Sequence, residues 1–534
     1  MDRNALLQHA VESLYEDERL RSNLTDAEAS VLLAWGESQV EAVIREAPTG
    51  QSETDTRDAV DSGLARVRSA MRQINDLIGE RRTLGGPELR ARLTGLVSAQ
   101  GPLSKGLSEQ IKQIVAEQKT LNNEELVSRL VRLLSISRRT GTRGASPRSS
   151  PGTAGAPPRD LRSEGGRVSA FTVVAVALVV LLVVAVALVV LRYTPSSPAS
   201  SPTTTPTSTA AGWYEVAFTS PKYPDNPADH TGGLDTKLAA FIDTASASVD
   251  MAIYQLDLEN VTQAVINAKG RGAVARVVTD IDILEDVKEN PSFKRLQAEG
   301  ITVVAGNPNA IMHDKFVVVD GKATWTGSWN FTVNDTYRYN NNGILVRSPD
   351  LARNYTATFE KMWRDQRFGP SRKPGGTTPA LSINGTTVES YFAPEDGVAA
   401  KIVARLKNAA TSIDFMAFSF TDDQIGRTVR DRAAAGARVR GVFETTGSET
   451  RFSEFGAMKA AGLDVLQDGN PYLMHHKVFI VDGRTVIVGS FNFSQNAEES
   501  NDENLLIIDD QSLAAQFTAE FERVYAQAKN PPKR

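Results

Sequence analysis

One short string occurs twice, 162 residues apart, as His313-Asp-Lys315-Phe-Val-Val-Val-Asp320 and His475-His-Lys477-Val-Phe-Ile-Val-Asp482. Both are H-x-K-x4-D, and 14 residues after each first His stands G-S-x-N, as Gly327-Ser328-Trp329-Asn330 and Gly489-Ser490-Phe491-Asn492. Chance would give one H-x-K-x4-D in roughly one chain of this length in twenty or thirty. Two in register with two G-S-x-N are a duplication. In the same ungapped register Leu351 meets Leu513, Tyr355 meets Phe517, Phe359 meets Phe521 and Trp363 meets Tyr525. That spacing is one apolar face of a helix. The chain must therefore fold around two copies of a unit of roughly 150 residues.

Each copy alternates strand and helix patterns. In the second, Ser412 to Phe420, Arg438 to Phe443, Lys477 to Val481 and Val486 to Ser490 are expected strands, and Asp422 to Ala435 a helix. Side chains alternate faces along a strand, so His475 and Lys477 share one, as do His313 and Lys315. Asp482, like Asp320, falls at an Asp-Gly turn, where a structural role is favoured over proton transfer. Ser490 and Asn492 are again two apart, and the hairpin brings them beside the His/Lys pair. Lys, Asn and Ser donors converging on a His suit an anionic tetrahedral group such as phosphate. Two such half-sites face to face would supply one imidazole to attack phosphorus and a second to protonate the leaving oxygen. No Asp/Glu/His grouping at metal-ligand spacing accompanies them, so neither a metal nor another cofactor is expected.

The rest of the 534 residues bounds the setting. With no cysteine, disulfides, thiolate metal sites and cysteine nucleophiles are excluded. Val168 to Leu191 is 24 residues without a charge, long enough for one transmembrane helix. Seven arginines between 136 and 167, against an uncharged stretch from 193 to 211, place the N-terminus in the cytoplasm and the duplicated part outside. Segments 136–167 (Arg/Ser/Pro/Gly) and 192–212 (Thr/Ser/Pro) have linker composition. Residues 213–534 hold 34 Lys+Arg and 41 Asp+Glu, a net of −7, without the basic excess of a protein that tracks nucleic acid.

Residues 1–135 are expected to be helical. Thr25-x-x-Glu28 has the form of a capping box, and Val60, Leu64, Val67, Met71, Ile74 and Ile78 form a stripe ended by Gly85-Gly86-Pro87. That stripe suits a bundle helix or a short coiled-coil seam, and runs 107–115 and 126–134 suggest further helices. A cytoplasmic module for partner binding or self-association is the expected role.

The two H-x-K-x4-D/G-S-x-N sets resemble those of the phospholipase D superfamily, over residues 213–534, about 60% of the chain. The resemblance implies a duplicated α/β/α sandwich with pseudo-twofold symmetry, repeat 1 at 213–375 and repeat 2 at 376–534, sharing one site without metal. It implies a phosphohistidine intermediate released by water or an alcohol, the latter giving a phosphatidyltransferase. The catalytic set would be His313, Lys315, Asp320, His475, Lys477 and Asp482, with phosphate binding and support from Ser328, Asn330, Ser490, Asn492 and Glu503. An acidic residue usually buttresses the His of its own repeat; Glu503 stands there in the second copy and Asn341 in the first. The expectation is thus Glu503 on His475, marking His475 as the acid and His313 as the nucleophile. A glycerophospholipid headgroup ester, met at a membrane, is the expected substrate. The alternatives are a nuclease acting outside the cell and a non-catalytic membrane protein that only binds phosphate groups.

Overall fold

The computed structural model describes residues 3–20, 24–47, 53–79, 81, 86–96, 111–112, 123–140, 212–308 and 310–532. The expected membrane span at 168–191 and most of both linkers and of the 107–115 run lie outside them. Among the described residues no helix is long and apolar enough to cross a membrane.

Repeat 1 is a seven-stranded sheet. In chain order it comprises β1 (Tyr214–Phe218), β2 (Ser248–Ile253), β3 (Val274–Asp280), β4 (Thr302–Gly306), β5 (Lys315–Val319), β6 (Ala323–Gly327) and β8 (Asn342–Arg347), in spatial order β1-β8-β6-β5-β2-β3-β4; β7 (Tyr339–Asn340) stands apart. Repeat 2 follows the same plan. Its strands are β10 (Thr386–Ala393), β11 (Ser412–Ala417), β12 (Arg438–Phe443), β13 (Asp464–Gln467), β15 (Lys477–Val481), β16 (Thr485–Gly489) and β17 (Glu503–Asp509), with β9 (Ala380–Ile383) added at one edge and β14 (Leu473–Met474) apart.

The continuous apolar runs Lys315–Val319 and Lys477–Val481 are strands buried on both faces. Phe316 and Val318 point into one core with Val478 and Ile480 of the other repeat, whereas Val317 and Val319 enter an outer core, and Phe479 and Val481 another. The shared core also takes in helices Pro349–Trp363 and Gln511–Lys529. Leu351, Tyr355, Phe359, Leu513, Phe517, Phe521 and Tyr525 are buried there, so the matched apolar stripes become the seam between the repeats.

Two parallel pairings cross that seam. β7 meets β14, with Met474 opposite Asn340, and Met312 bridges Asp502. Adding 162 to 312 gives 474, and to 340 gives 502, so the two pairings are one contact made twice across a pseudo-twofold axis. This alignment carries residues of each repeat into the other's half-site.

The N-terminal part is a helical bundle, with α1 (Arg3–Glu16), α2 (Asp26–Glu46) and α3 (Glu53–Gly79). The capping box forms: Thr25 Oγ1 accepts from the Glu28 amide and Glu28 accepts from the Thr25 amide. The stripe from Val60 to Ile78 packs into one core with Val11, Leu14 and Trp35, so α3 is a bundle helix. It ends at Gly79, and Gly86-Pro87 instead opens the next helix, Gly86–Leu96. Helix Asn123–Thr140 covers the 126–134 run and continues into the stretch expected to be linker.

Candidate active site

β5 and β15 deliver the two H-x-K sets. His313 and His475 stand two residues before these strands, and each donates its backbone N–H across the seam, to Asp502 O (3.0 Å) and Asn340 O (2.9 Å). Lys315 and Lys477 open the strands, and each Nζ donates to the carbonyl of the His two residues before it at 3.0 Å. The hairpins to β6 and β16 return Gly-Ser to the same end. A Cβ on Gly327 would lie 2.3 Å from Asn342 O, and one on Gly489 2.2 Å from Asn504 O. Glycine is required there because β8, which Asn341 directly precedes, and β17, which opens with Glu503, pass at backbone contact.

The histidine partners are exchanged between repeats. His313 Nδ1 meets Glu503 Oε1 at 2.8 Å, and His475 Nδ1 meets Asn341 Oδ1 at 3.0 Å. Glu503 was expected on His475, in its own repeat; the twofold seam sets it against His313. A second carboxylate, Asp335, lies 3.4 Å from His475 Nδ1 and accepts from Asn341 Nδ2 at 3.0 Å. His313 therefore has a carboxylate directly on its ring, and His475 an amide with a carboxylate behind it. In both, Nδ1 is the nitrogen that these partners hold.

The donors complete each half. Ser328 Oγ donates to Asn341 Oδ1 (2.8 Å), and Ser490 Oγ accepts the Asn504 amide (3.0 Å). Asn330 Nδ2 leans on Asp335 at 3.4 Å. Asn492 is wholly buried, and neither side-chain atom has a partner among the described residues. A buried amide without partners is costly unless a ligand completes it. His313, Lys315, Ser328, Asn330, His475, Lys477, Ser490 and Asn492 are all 0–1% exposed. Tyr254, first after β2, stacks edge-on to His313 at 5.5 Å, and Phe418, first after β11, to His475 at 4.6 Å.

Asp320 and Asp482 are elsewhere. Each ends its strand, about 20 Å of extended chain from the His. Asp320 accepts from the amides of Ser246 (3.1 Å), Ala247 (2.7 Å) and Ser248 (3.0 Å), and Asp482 from those of Ala410 (2.8 Å), Thr411 (2.7 Å) and Ser412 (2.9 Å). Both have φ of +53°, which Asp tolerates. Burial works against the charge, but the Ser246 hydroxyl and three amides hold Asp320 down at about 2. These aspartates tie the hairpin to the start of β2 or β11, at the opposite end of the strand from the histidines.

Several residues were not singled out from the sequence. Asp335 faces Ala497 in the 162-residue register, so the two carboxylates occupy different positions in the two copies. Arg372, fully buried between the repeats, meets Glu395 (2.8 Å), Asp502 (3.2 Å) and Asp314 (3.7 Å). It thereby grips the neighbours of both His313 and Glu503. On the other side His476 bridges Asn342 (2.9 Å) and Glu520 (3.0 Å). The H-H-K doublet was the one available signal. Among the described residues no three His, Cys, Asp or Glu side chains form a metal-binding group.

A family profile described as cardiolipin synthase, PLD-like domain matches residues 238–363 and 402–525. Phospholipase D of Rickettsia prowazekii is 31% identical over 175 residues, 33% of this chain and 82% of that protein. Human mitochondrial cardiolipin hydrolase is 38% identical over 133 residues, 25% of this chain. The chain spans about half the length of the cardiolipin hydrolases it matches, 52% for the human protein. Among solved structures, the phospholipase D family member Nuc of Salmonella typhimurium is 32% identical, over 27% of this chain and 95% of that one, with a TM-score of 0.26.

Proposed function

The chain belongs to the phospholipase D-like family, and from that premise we propose that it is a membrane-anchored phosphodiesterase that cleaves or transfers the headgroup of a glycerophospholipid. The observation that carries this reading is the exchange of partners at the seam, which makes one site of two half-sites. Neither repeat alone holds both a supported nucleophile and a supported acid.

In the proposed reaction His313 Nε2 attacks phosphorus and the P–O bond to the headgroup breaks. As the N–P bond forms, positive charge grows on the ring, where the Glu503 carboxylate stabilises it through Nδ1–H. His475 gives the leaving oxygen its proton. His475, now a base, takes a proton from water or an alcohol, which attacks phosphorus and frees His313. His313 stays the nucleophile, but because Glu503 supports it rather than because Glu503 supports the other ring. Lys315, Lys477, Asn330 and Asn492 hold the phosphate oxygens.

A lipid substrate is supported by the net −7 of residues 213–534 and by the relatives named for lipid hydrolysis. The span at 168–191 would hold the catalytic half at a bilayer, on its outer side. The full chain in detergent should release headgroups from mixed phospholipid micelles, and acid-labile phosphate should be trapped on His313 after rapid quenching. Hydrolysis of single-stranded DNA with phospholipid left intact would replace the lipid reading with a nuclease; an adduct confined to His475 would reverse the roles of the rings.

A further inference from the structure

The histidines and lysines of the candidate site are buried, and α1 packs on the catalytic half beside them. Its apolar side, Ala10, Val11, Leu14 and Tyr15, faces its own bundle. Its polar side lies on the catalytic half. Thr421 Oγ1 donates to Glu12 Oε1 at 2.5 Å, the Asn496 amide to Glu12 Oε2 at 3.1 Å, and Asn496 Nδ2 to His9 O at 3.0 Å. Glu16, wholly buried, sits beside the hydroxyls of Ser494 and Ser419 and within electrostatic reach of Glu503. Just beyond α1, the Arg19 guanidinium lies 5.8 Å from the centre of the Tyr254 ring.

These contacts straddle both half-sites. Ser494 is two residues past Asn492, Ser419 follows the Phe418 that packs on His475, and Tyr254 packs on His313. A phospholipid with two acyl chains cannot reach two imidazoles that are 0% exposed.

We propose that α1 is an intramolecular cap that closes the active site, and that substrate enters only after the bundle carrying α1 lifts away. This rests on the phosphodiesterase reading for its consequence, but the closure itself does not. The contact is suited to release, because it is polar and places a carboxyl where burial and Glu12 oppose its ionisation, pushing it up to about 8. While the cap is in place, residues 3–79 and 212–532 are on the same side of any bilayer.

The absence of cysteine makes the test direct. In the full chain, Glu12→Cys and Thr421→Cys place two thiols where α1 meets the catalytic half, to be joined as a disulfide or by a short bismaleimide. Glu12→Lys, which loses both Glu12 contacts to the catalytic half, is the opened comparison. Carbethoxylation of His313 and His475 by diethyl pyrocarbonate, read by mass spectrometry, and hydrolysis of bis(p-nitrophenyl) phosphate are measured on both. The linked chain should label and hydrolyse at least about tenfold more slowly than Glu12→Lys, and reduction of the disulfide should restore both. Failure of the pair to link, or equal labelling of the linked and opened chains, overturns the cap. Labelling that follows the link while neither form hydrolyses a diester upholds the cap and removes the phosphodiesterase reading.

Discussion

The two half-sites begin from the same string and end in different electrostatic surroundings. Around His313 the carboxylate of Glu503 touches the ring, and Arg372, ringed by Asp314, Glu395 and Asp502, locks the strands that bring them together. Around His475 the contact is Asn341, with Asp335 behind it, and the lock is His476 with Glu520. Duplication supplies two equal copies, but attack and protonation ask opposite things of an imidazole. One ring must accept positive charge and the other must surrender a proton. Under the proposed mechanism, Glu503 at one ring and Asn341 with Asp335 behind it at the other are the asymmetry that would divide those demands.

The harshest attempt to break this comparison removes the rings. His313→Ala and His475→Ala should each lower turnover at least about a thousandfold, because both act on one phosphorus. About half the original rate in either would mean two independent sites. The variants should then part company: with a p-nitrophenyl ester, whose leaving group needs little protonation, His475→Ala should accumulate a phospho-adduct on His313 and His313→Ala should accumulate none.

Next comes the lock. Arg372→Met leaves Asp314, Asp502 and Glu395 around an uncharged side chain, and should cost about 3–5 kcal/mol in urea unfolding. Glu520→Gln, on the other side, keeps a hydrogen-bond partner for His476 and should cost clearly less; equal losses would remove the asymmetry of the two sides. Finer still is the pair of ring partners. Glu503→Gln should lower kcat about a hundredfold and Asn341→Ala about tenfold, in steady-state assays. The reverse order would make His475 the ring that carries positive charge.

The turn aspartates should show where the halves are alike. Asp320→Asn and Asp482→Asn should each cost about 1–2 kcal/mol of stability and leave kcat per folded molecule unchanged. A large fall in kcat would return them to the chemistry. Last is a pH effect confined to the Arg372 side. Burial, only partly offset by Arg372, raises Asp502 from 3.8 to about 7. A carboxyl raised on folding stabilises fully below its unfolded value and loses that contribution as pH climbs through the folded one. The stability of the natural chain relative to Asp502→Asn should therefore fall between pH 3.8 and about 7; a flat difference, from urea melts across that window, would contradict the assignment.

What could be known from the sequence was whatever depends on near neighbours or on repetition. The Lys315–Val319 and Lys477–Val481 strands, the Asp-Gly turns, the Thr25 capping box and the shared stripes of Leu351/Leu513 and Tyr355/Phe517 all follow from spacing, because strand and helix periods are local properties of the chain. The His, Lys, Ser and Asn of the site were legible for the same reason, since two hairpins carry them to one end. The partners of the histidines were not. Glu503 lies 28 residues from His475 and 190 from His313, and chain proximity favours the wrong ring. Only the docking of the two sheets, through Met312 with Asp502 and Met474 with Asn340, decides which carboxylate reaches which imidazole. The contact of α1 with Thr421 and Asn496, more than 400 residues away, was equally invisible. Hydrogen bonds of that kind are made between surfaces, and a surface exists only once the strands and helices beneath it have packed.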